Sequence, residues 1–408
     1  MAGTHGPPSR RRLPALDGLR GLAILLVLVV HSPTWEPSSP ARVAGRFLQS
    51  GGWVGVDVFF ALSGYLITGI LWDARGSPRY YRDFYARRAQ RIWPLYYLLL
   101  IVVLLVLPAL LGGPVLGVAL TPGEQACYWL GMPNWLAVTA AGPAFPGGDL
   151  VVAWSLAVEE QFYLVWPAAI AILARRAAVR VAAAVAVGSF LLRVAASAAG
   201  LPANAAYVLT PCKLDALALG VIVALVQRGP GGVGAVGRFA RRALPAGAVV
   251  AAGSTAYAWA CGTTLLVGDS PAHVTLSAGV GLMSAGVIGL CLASPAGAVA
   301  RLFLAAPLRW LGRYSYGIYL LHLPAFRLAC WVLGDGRLPA WAVFLAYAVS
   351  GPAAGWLSWH LLEKRVLALR VRPADPPPVV RPQPGRSIER ECRDVEFPSR
   401  PRVKRPTA

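Results

Sequence analysis

With 57% of its residues hydrophobic, only 14% charged and a mean hydropathy of +0.57, this chain of 408 residues is too apolar for a soluble protein, in which about 25% of residues are charged. Its formal net charge of +20 does not mark a nucleic-acid binder, because the arginines cluster in alternate loops between apolar runs of membrane-spanning length. The six cysteines, Cys127, Cys212, Cys261, Cys291, Cys330 and Cys392, are scattered without metal-ligand spacing and suggest neither a disulfide framework nor a zinc site.

Residues 1–12 read as a basic tail. Arg10 to Arg12 ahead of an apolar run is also how a signal peptide begins, but Asp17 and Arg20 inside the run favour an uncleaved first helix. The apolar runs predict ten helices, at about 15–33, 52–72, 92–111, 151–174, 181–199, 213–227, 244–261, 273–293, 314–334 and 341–362. The loop 73–91 carries Arg75, Arg79, Arg82, Arg87, Arg88 and Arg91. The segment 113–150 has no Lys or Arg, holds Trp129 and Trp135, and suits a short re-entrant or interfacial helix. The chain from Glu363 onward is rich in Pro and Arg, and 366–408 is expected to be disordered.

Ten spans put both termini on one side of the membrane. Only Arg42, Arg46 and Arg337 then fall in loops on the other side, and Arg20, Arg193, Lys213 and Arg327 lie within helices. Every other Lys and Arg lies in the two tails or in loops on the terminal side. A miscounted helix would scramble this separation. The expectation is therefore an all-α, multi-pass cell-membrane protein of about ten transmembrane helices with both termini cytoplasmic. No strong internal repeat of the transporter kind is visible.

Titratable groups inside such segments are costly and mark functional sites by default. In LPALDGLRGLAILLVLVVHS, Leu13 to Ser32, Arg20 and His31 are eleven residues apart. On a helix both project from one face, roughly 16 Å apart along the axis. Arg20 near the inner end also suits snorkelling to headgroups, and His31 the outer interface. A neutral imidazole near pH 7 accepts a proton from a hydroxyl, as a general base does. Asp57 and Glu159 are the candidate acids to orient it; both also suit ion pairs with Arg20, Arg193 or Lys213 that hold the bundle together. Glu159 and Glu160 are adjacent, so on a helix they cannot share a face. In FYARRAQRIWPLYY, Arg88 and Arg91 are three apart and share a helix face if that stretch is helical. Guanidinium forks suit phosphates, although positive-inside charge accounts for a basic loop equally well. His322, with Tyr316 and Tyr319 in RYSYGIYLLHLP, suits either a polar pocket or a packing histidine. His360 and His5 look incidental.

Taken in order, LDGLRGLAILLVLVVH, GVDVFFALSGYLIT, RRAQRIWPLYY, WSLAVEEQFYLVWP, KLDALALG and LGRYSYGIYLLHLP resemble the motifs of the acyltransferase-3 family of integral membrane O-acyltransferases. They span about residues 13–365. The resemblance implies a membrane acyltransferase domain over 13–365. It also implies transfer of an acyl group, often acetyl, to a hydroxyl of a carbohydrate or small molecule, such as a cell-envelope glycan or a glycosylated metabolite. Acyl-CoA would be the donor substrate, with no resident cofactor or metal. It implies that Arg20 and His31 are the paired catalytic motif, that Arg88 and Arg91 match the cytoplasmic arginine motif, and that Glu159 matches the first glutamate of WSL-x-x-E. Some members carry an extracellular hydrolase-like domain after an additional helix. Here a short basic tail follows, which points to a stand-alone enzyme or one relying on a separate partner. The expected assignment is His31, Arg20 and Glu159 in catalysis, Arg88 and Arg91 on coenzyme A phosphates, and Asp57, Tyr316 and His322 in the substrate pocket. The rival class is a transporter of a lipid-linked sugar or metabolite, whose intramembrane charges line a path without chemistry.

Overall fold

The computed structural model describes residues 13–33, 40–139, 146–334 and 338–369. The basic tail 1–12 and the chain beyond 369 lie outside the described residues, so the expected disorder of the C-terminal tail falls there from 370 onward. The regular elements among the described residues are all helices, with no strand. The principal helices are α1 (Pro14–His31), α2 (Pro40–Ser50), α3 (Gly55–Asp73), α4 (Tyr80–Ile101), α5 (Ala153–Ile172), α6 (Arg175–Ala198), α7 (Asp215–Gln227), α8 (Gly232–Ala260), α9 (Ala272–Ala293), α10 (Ala306–Leu333) and α11 (Ala340–Ser358).

Each of the ten expected stretches falls on a helix. Among the described residues, seven stretches are long and apolar enough to cross a membrane: Pro14–His31, Val43–Asp73, Tyr80–Leu111, Arg175–Ala198, Ala272–Ala293, Ala306–Leu333 and Ala340–Ala368. α7 is apolar but shorter. α5 is diluted by Glu159, Glu160 and Gln161, and α8 begins with Arg238, Arg241 and Arg242. Large apolar side chains such as Leu164, Val165, Ile172, Val249, Trp331 and Leu345 are exposed on the outside of the bundle. Hydrocarbon solvates such a surface; water does not.

Two boundaries differ from expectation. The arginine-rich stretch is not a loop: Tyr80 to Arg91 is the first half of α4, which continues through a π-turn, Val102–Val106, to Leu111. Tyr80, Phe84, Ile92 and Leu95 recur at helical spacing and bury one stripe, so the segment is an amphipathic helix whose charges conceal it from hydropathy. At the other end, α11 runs on through a second π-turn to a short helix, Lys364–Ala368, past the expected boundary at 365. The segment 113–150 does hold a short helix, Pro122–Trp129. Thr121 and Glu124 close it with a reciprocal capping box. Residues 140–145 lie outside the described residues.

α1 is central and packs along α10 and against α3. The approach to α10 is close because it is built on glycine. A Cβ at Gly21 would sit 1.8 Å from the Leu308 carbonyl oxygen, and one at Gly312 would sit 1.7 Å from that of Asp17. Small residues at a membrane helix crossing let the backbones meet. Gly21→Ala therefore has to push α10 away from the helix that carries Arg20 and His31. The expected cost is about 1–3 kcal/mol, read as a lowered melting temperature of the detergent-solubilised protein. An unchanged melting temperature would show that the crossing relaxes freely.

Candidate active site

α1, α3, α4, α5 and α10 enclose a cavity of about 130 Å³, room for several waters or a small acyl group. Arg20 enters its wall from α1, and Arg88 and Arg91 enter from successive turns of one face of α4. Arg20 is held one turn back by Asp17, 3.6 Å away, and lies close enough to Arg91, Arg88 and Glu159 for their charges to act on it. Arg91 is exposed and Arg88 half-buried, with the Arg88 Nε buried and unbonded. Arg87 is spent elsewhere, 3.8 Å from Asp83. Three cations thus share one wall with a single carboxylate, Glu159. That surplus of positive charge matches an anionic ligand.

Glu159 sits in α5 on the cavity side. Tyr163, one turn on, donates to its Oε2 at 2.7 Å, and Ser63 of α3 in turn donates to the Tyr163 hydroxyl. The next residue, Glu160, points away and accepts from the Trp93 indole at 3.3 Å, as adjacent helix positions require. Tyr316 lines the cavity and donates to the Ile92 carbonyl at 2.6 Å. Tyr319 closes the far end; its hydroxyl is 2.5 Å from Ser155 Oγ and donates to the Val152 carbonyl at 3.1 Å.

His31 is not in this wall. It is the last residue of α1, and its ring meets that of His322 from α10, centroids 5.0 Å apart. His31 Nδ1 donates to the Val27 carbonyl at 2.9 Å. A carbonyl only accepts, so the neutral ring carries its proton on Nδ1 and keeps the Nε2 lone pair. His322 repeats the arrangement: Nδ1 donates to the Tyr319 carbonyl at 2.8 Å, while Nε2 is buried without a hydrogen-bond partner. Two imidazoles with available lone pairs therefore stand side by side one helical turn beyond Tyr319, where the cavity ends. Each is tautomerically fixed by its own helix, and neither Asp57 nor Glu159 bonds to His31.

A family model described as an acyltransferase domain, that of the acyltransferase-3 family, matches residues 13–360. The chain belongs to this family. The chain is also similar to the putative peptidoglycan O-acetyltransferase YrhL of Bacillus subtilis (strain 168), at 30% identity over 89% of this chain and 56% of that protein. It is 28% identical to the peptidoglycan O-acetyltransferase OatA of Listeria monocytogenes serovar 1/2a, over 84% of this chain and 54% of that one. The O-acetyltransferase OatA of Staphylococcus aureus (strain NCTC 8325 / PS 47) is 34% identical over 41% of this chain and 26% of its own. The chain thus spans about half the length of the first two of these relatives. No solved structure matches it. Family and apolar helices together make the chain a multi-pass membrane protein.

Of the residues expected in the site, the structure gathers Arg20, Arg88, Arg91, Glu159 and Tyr316 around one cavity and sets His31 with His322 beyond it. Asp57 goes elsewhere. It is fully buried 2.8 Å from Lys213 Nζ and accepts from Ser277 at 3.1 Å. Beside this pair Arg193 grips Asp215 at 2.6 Å, and the Lys213 ammonium lies 3.8 Å from the centre of the Tyr207 ring. The GVD and KLD motifs therefore meet in an ionic clamp joining α3, α6, α7 and α9. This is the pairing that Asp57 and Lys213 suit as structural groups, and Asp57 is not among the residues that line the cavity. Ser63, Tyr163 and Ser155 line the cavity without having been singled out in the sequence. Tyr163 was findable, since it follows Glu159 by one helical turn. Ser63 and Ser155 carry no such signal, because a membrane serine more often bonds its own helix.

Proposed function

We propose that the acyltransferase moves an acetyl group from acyl-CoA on the cytoplasmic side to a hydroxyl of a carbohydrate acceptor on the outer side. Ten helices span the membrane in this reading, with both termini cytoplasmic. It is supported by the ten expected stretches all being helical and by the segregation of Lys and Arg between alternate loops. The observation that carries the functional reading is the cavity with Arg20, Arg88 and Arg91 at one end and the His31–His322 pair beyond the other. The two ends are roughly 16 Å apart along α1. A donor with phosphates at one end and a thioester on a long flexible arm has that form.

The arginines hold the phosphates and the arm runs toward His31. His31 Nε2 takes the proton of the acceptor hydroxyl as its oxygen attacks the thioester carbonyl. The carbon–sulfur bond breaks, the thiolate leaves, and the proton held on His31 passes to it. Glu159, fixed by Tyr163, balances the arginine charge as the anionic donor comes and goes. A peptidoglycan hydroxyl is the acceptor that the names of the relatives suggest.

The purified protein, given acetyl-CoA and a cell-wall glycan, is expected to release free coenzyme A and to raise the glycan mass by one acetyl group per transfer. A transporter would leave both unchanged. Within the same assay, Arg88→Ala and Arg91→Ala are expected to raise KM for acyl-CoA by about tenfold or more, the worth of one charge-assisted contact, with less effect on KM for the acceptor. Lysine at either position should rescue only partly, since a point charge does not replace a planar fork. Wild-type donor kinetics in both lysine variants, at equal membrane abundance, would leave these arginines as a topological signal.

A further inference from the structure

A second, larger cavity, about 520 Å³ in volume, lies beside the outer end of α1. Its walls are α2 and the turn after α8. Val30, the residue before His31, is in its wall, and Gln49 of α2 donates to both the carbonyl and the hydroxyl of Ser32, the residue after His31, at 2.8 Å each. The floor is fixed in the same way: Leu265 N donates to Ser50 Oγ at 2.9 Å, and the Trp53 indole donates to the Leu265 carbonyl at 2.7 Å. The cavity is therefore a built groove tied to both neighbours of His31, whose own ring turns to His322 at the groove's edge and is not in its wall.

The groove offers Trp259, 54% exposed and held edge-on by Phe47 with ring centroids 4.9 Å apart. Around it stand the guanidinium of Arg46, the Gln49 amide oxygen, and the hydroxyls of Thr263 and Thr264, which donate to the Ala258 carbonyl and to Asp269 and so present lone pairs to a ligand. An aromatic face ringed by hydrogen-bonding groups takes up a sugar ring, whose C–H face is apolar and whose edge is polar. Arg46 adds a charge preference. It is exposed and has no acidic partner among the described residues. It also runs against the charge segregation of the chain, being one of three basic residues, with Arg42 and Arg337, that the ten-helix reading places between helices on that side.

We infer that this groove is the acceptor subsite and that it takes a saccharide carrying a carboxylate, with a ring on Trp259 and the carboxylate on Arg46. The inference rests on the transfer reading above and names its acceptor chemistry.

The groove carries its own reporter. Cys261 is exposed and lies between Trp259 and Gly262, both of which form the wall. In the full-length detergent-solubilised protein, maleimide labelling at Cys261 is followed by peptide mass while an acidic amino-sugar disaccharide is titrated in. A second titration uses the same disaccharide with its carboxylate converted to the amide. The acidic form is expected to protect Cys261 at about tenfold lower concentration than the amide. Arg46→Gln should remove that difference, and Trp259→Ala should remove protection by both. KM for the acidic acceptor should rise about tenfold in each variant while KM for acyl-CoA stays unchanged. No protection of Cys261 by either disaccharide, in a protein that transfers acetyl or in one that does not, overturns the groove. Equal protection by both forms in the unaltered protein overturns the role of Arg46. Protection without any acetyl transfer keeps the groove as a saccharide site and overturns the transfer reading instead.

Discussion

Replacing His31 by alanine is expected to lower acyl transfer by about 10²–10⁴, the usual worth of a general base, while the protein stays in the membrane at its normal level. The expectation follows from the hydrogen bond of the ring. Nδ1 is committed to the Val27 carbonyl, so the one basic nitrogen is Nε2, and alanine removes it without unseating α1. His31→Gln makes the test stricter. It keeps a polar side chain of similar reach but accepts no proton at neutral pH, so a chemical role predicts a loss close to that of alanine. A histidine that merely suits the interface predicts near-normal rates in His31→Gln. The comparison is made as initial rates at saturating donor and acceptor and at equal membrane abundance. Full activity in correctly inserted His31→Ala would remove His31 from the mechanism.

The second large effect concerns stability. Asp57 and Lys213 are both fully buried, and removing one leaves the other charge unpaired in a low-dielectric interior. Breaking a buried pair costs about 3–5 kcal/mol, whereas replacing both members by apolar residues of similar size is often neutral. Asp57→Leu and Lys213→Met are each expected to lower the melting temperature sharply and to deplete folded protein from the membrane. The double variant should recover most of that loss. Recovery in the double variant is the signature of a clamp. If Asp57 instead worked on substrate, Asp57→Asn would reduce transfer at an unchanged melting temperature, and adding Lys213→Met would restore nothing. Monodispersity after heating in detergent, alongside initial rates, separates the two cases.

How much of this was legible beforehand depended on how local each feature is. The membrane class follows from composition, and the ten helical stretches follow from runs of apolar residues, both short-range properties. The placement of Arg20 and His31 on one helix about three turns apart is equally local, because the α-helical repeat settles it. The helical conformation of Tyr80 to Arg91 was present as a buried stripe through Tyr80 and Phe84, but its charge density hid it from an average over the window. Adjacent Glu159 and Glu160 had to diverge, yet which of them turns inward depends on where α4 crosses α5. The same holds for the acids as a set. Asp57 and Glu159 are alike as buried carboxylates in apolar helices. One meets Lys213 across the bundle in an ionic clamp, while the other faces a cavity lined by arginines. The pairing of His31 with His322 joins residues from opposite ends of the chain. Its geometry depends on the glycines that bring α1 against α10. Sequence by itself therefore determined which residues are too costly to be in a membrane without a purpose. Only the tertiary structure decided which partner each meets, because the partner of a buried polar group is set by helix crossings between segments far apart in the chain.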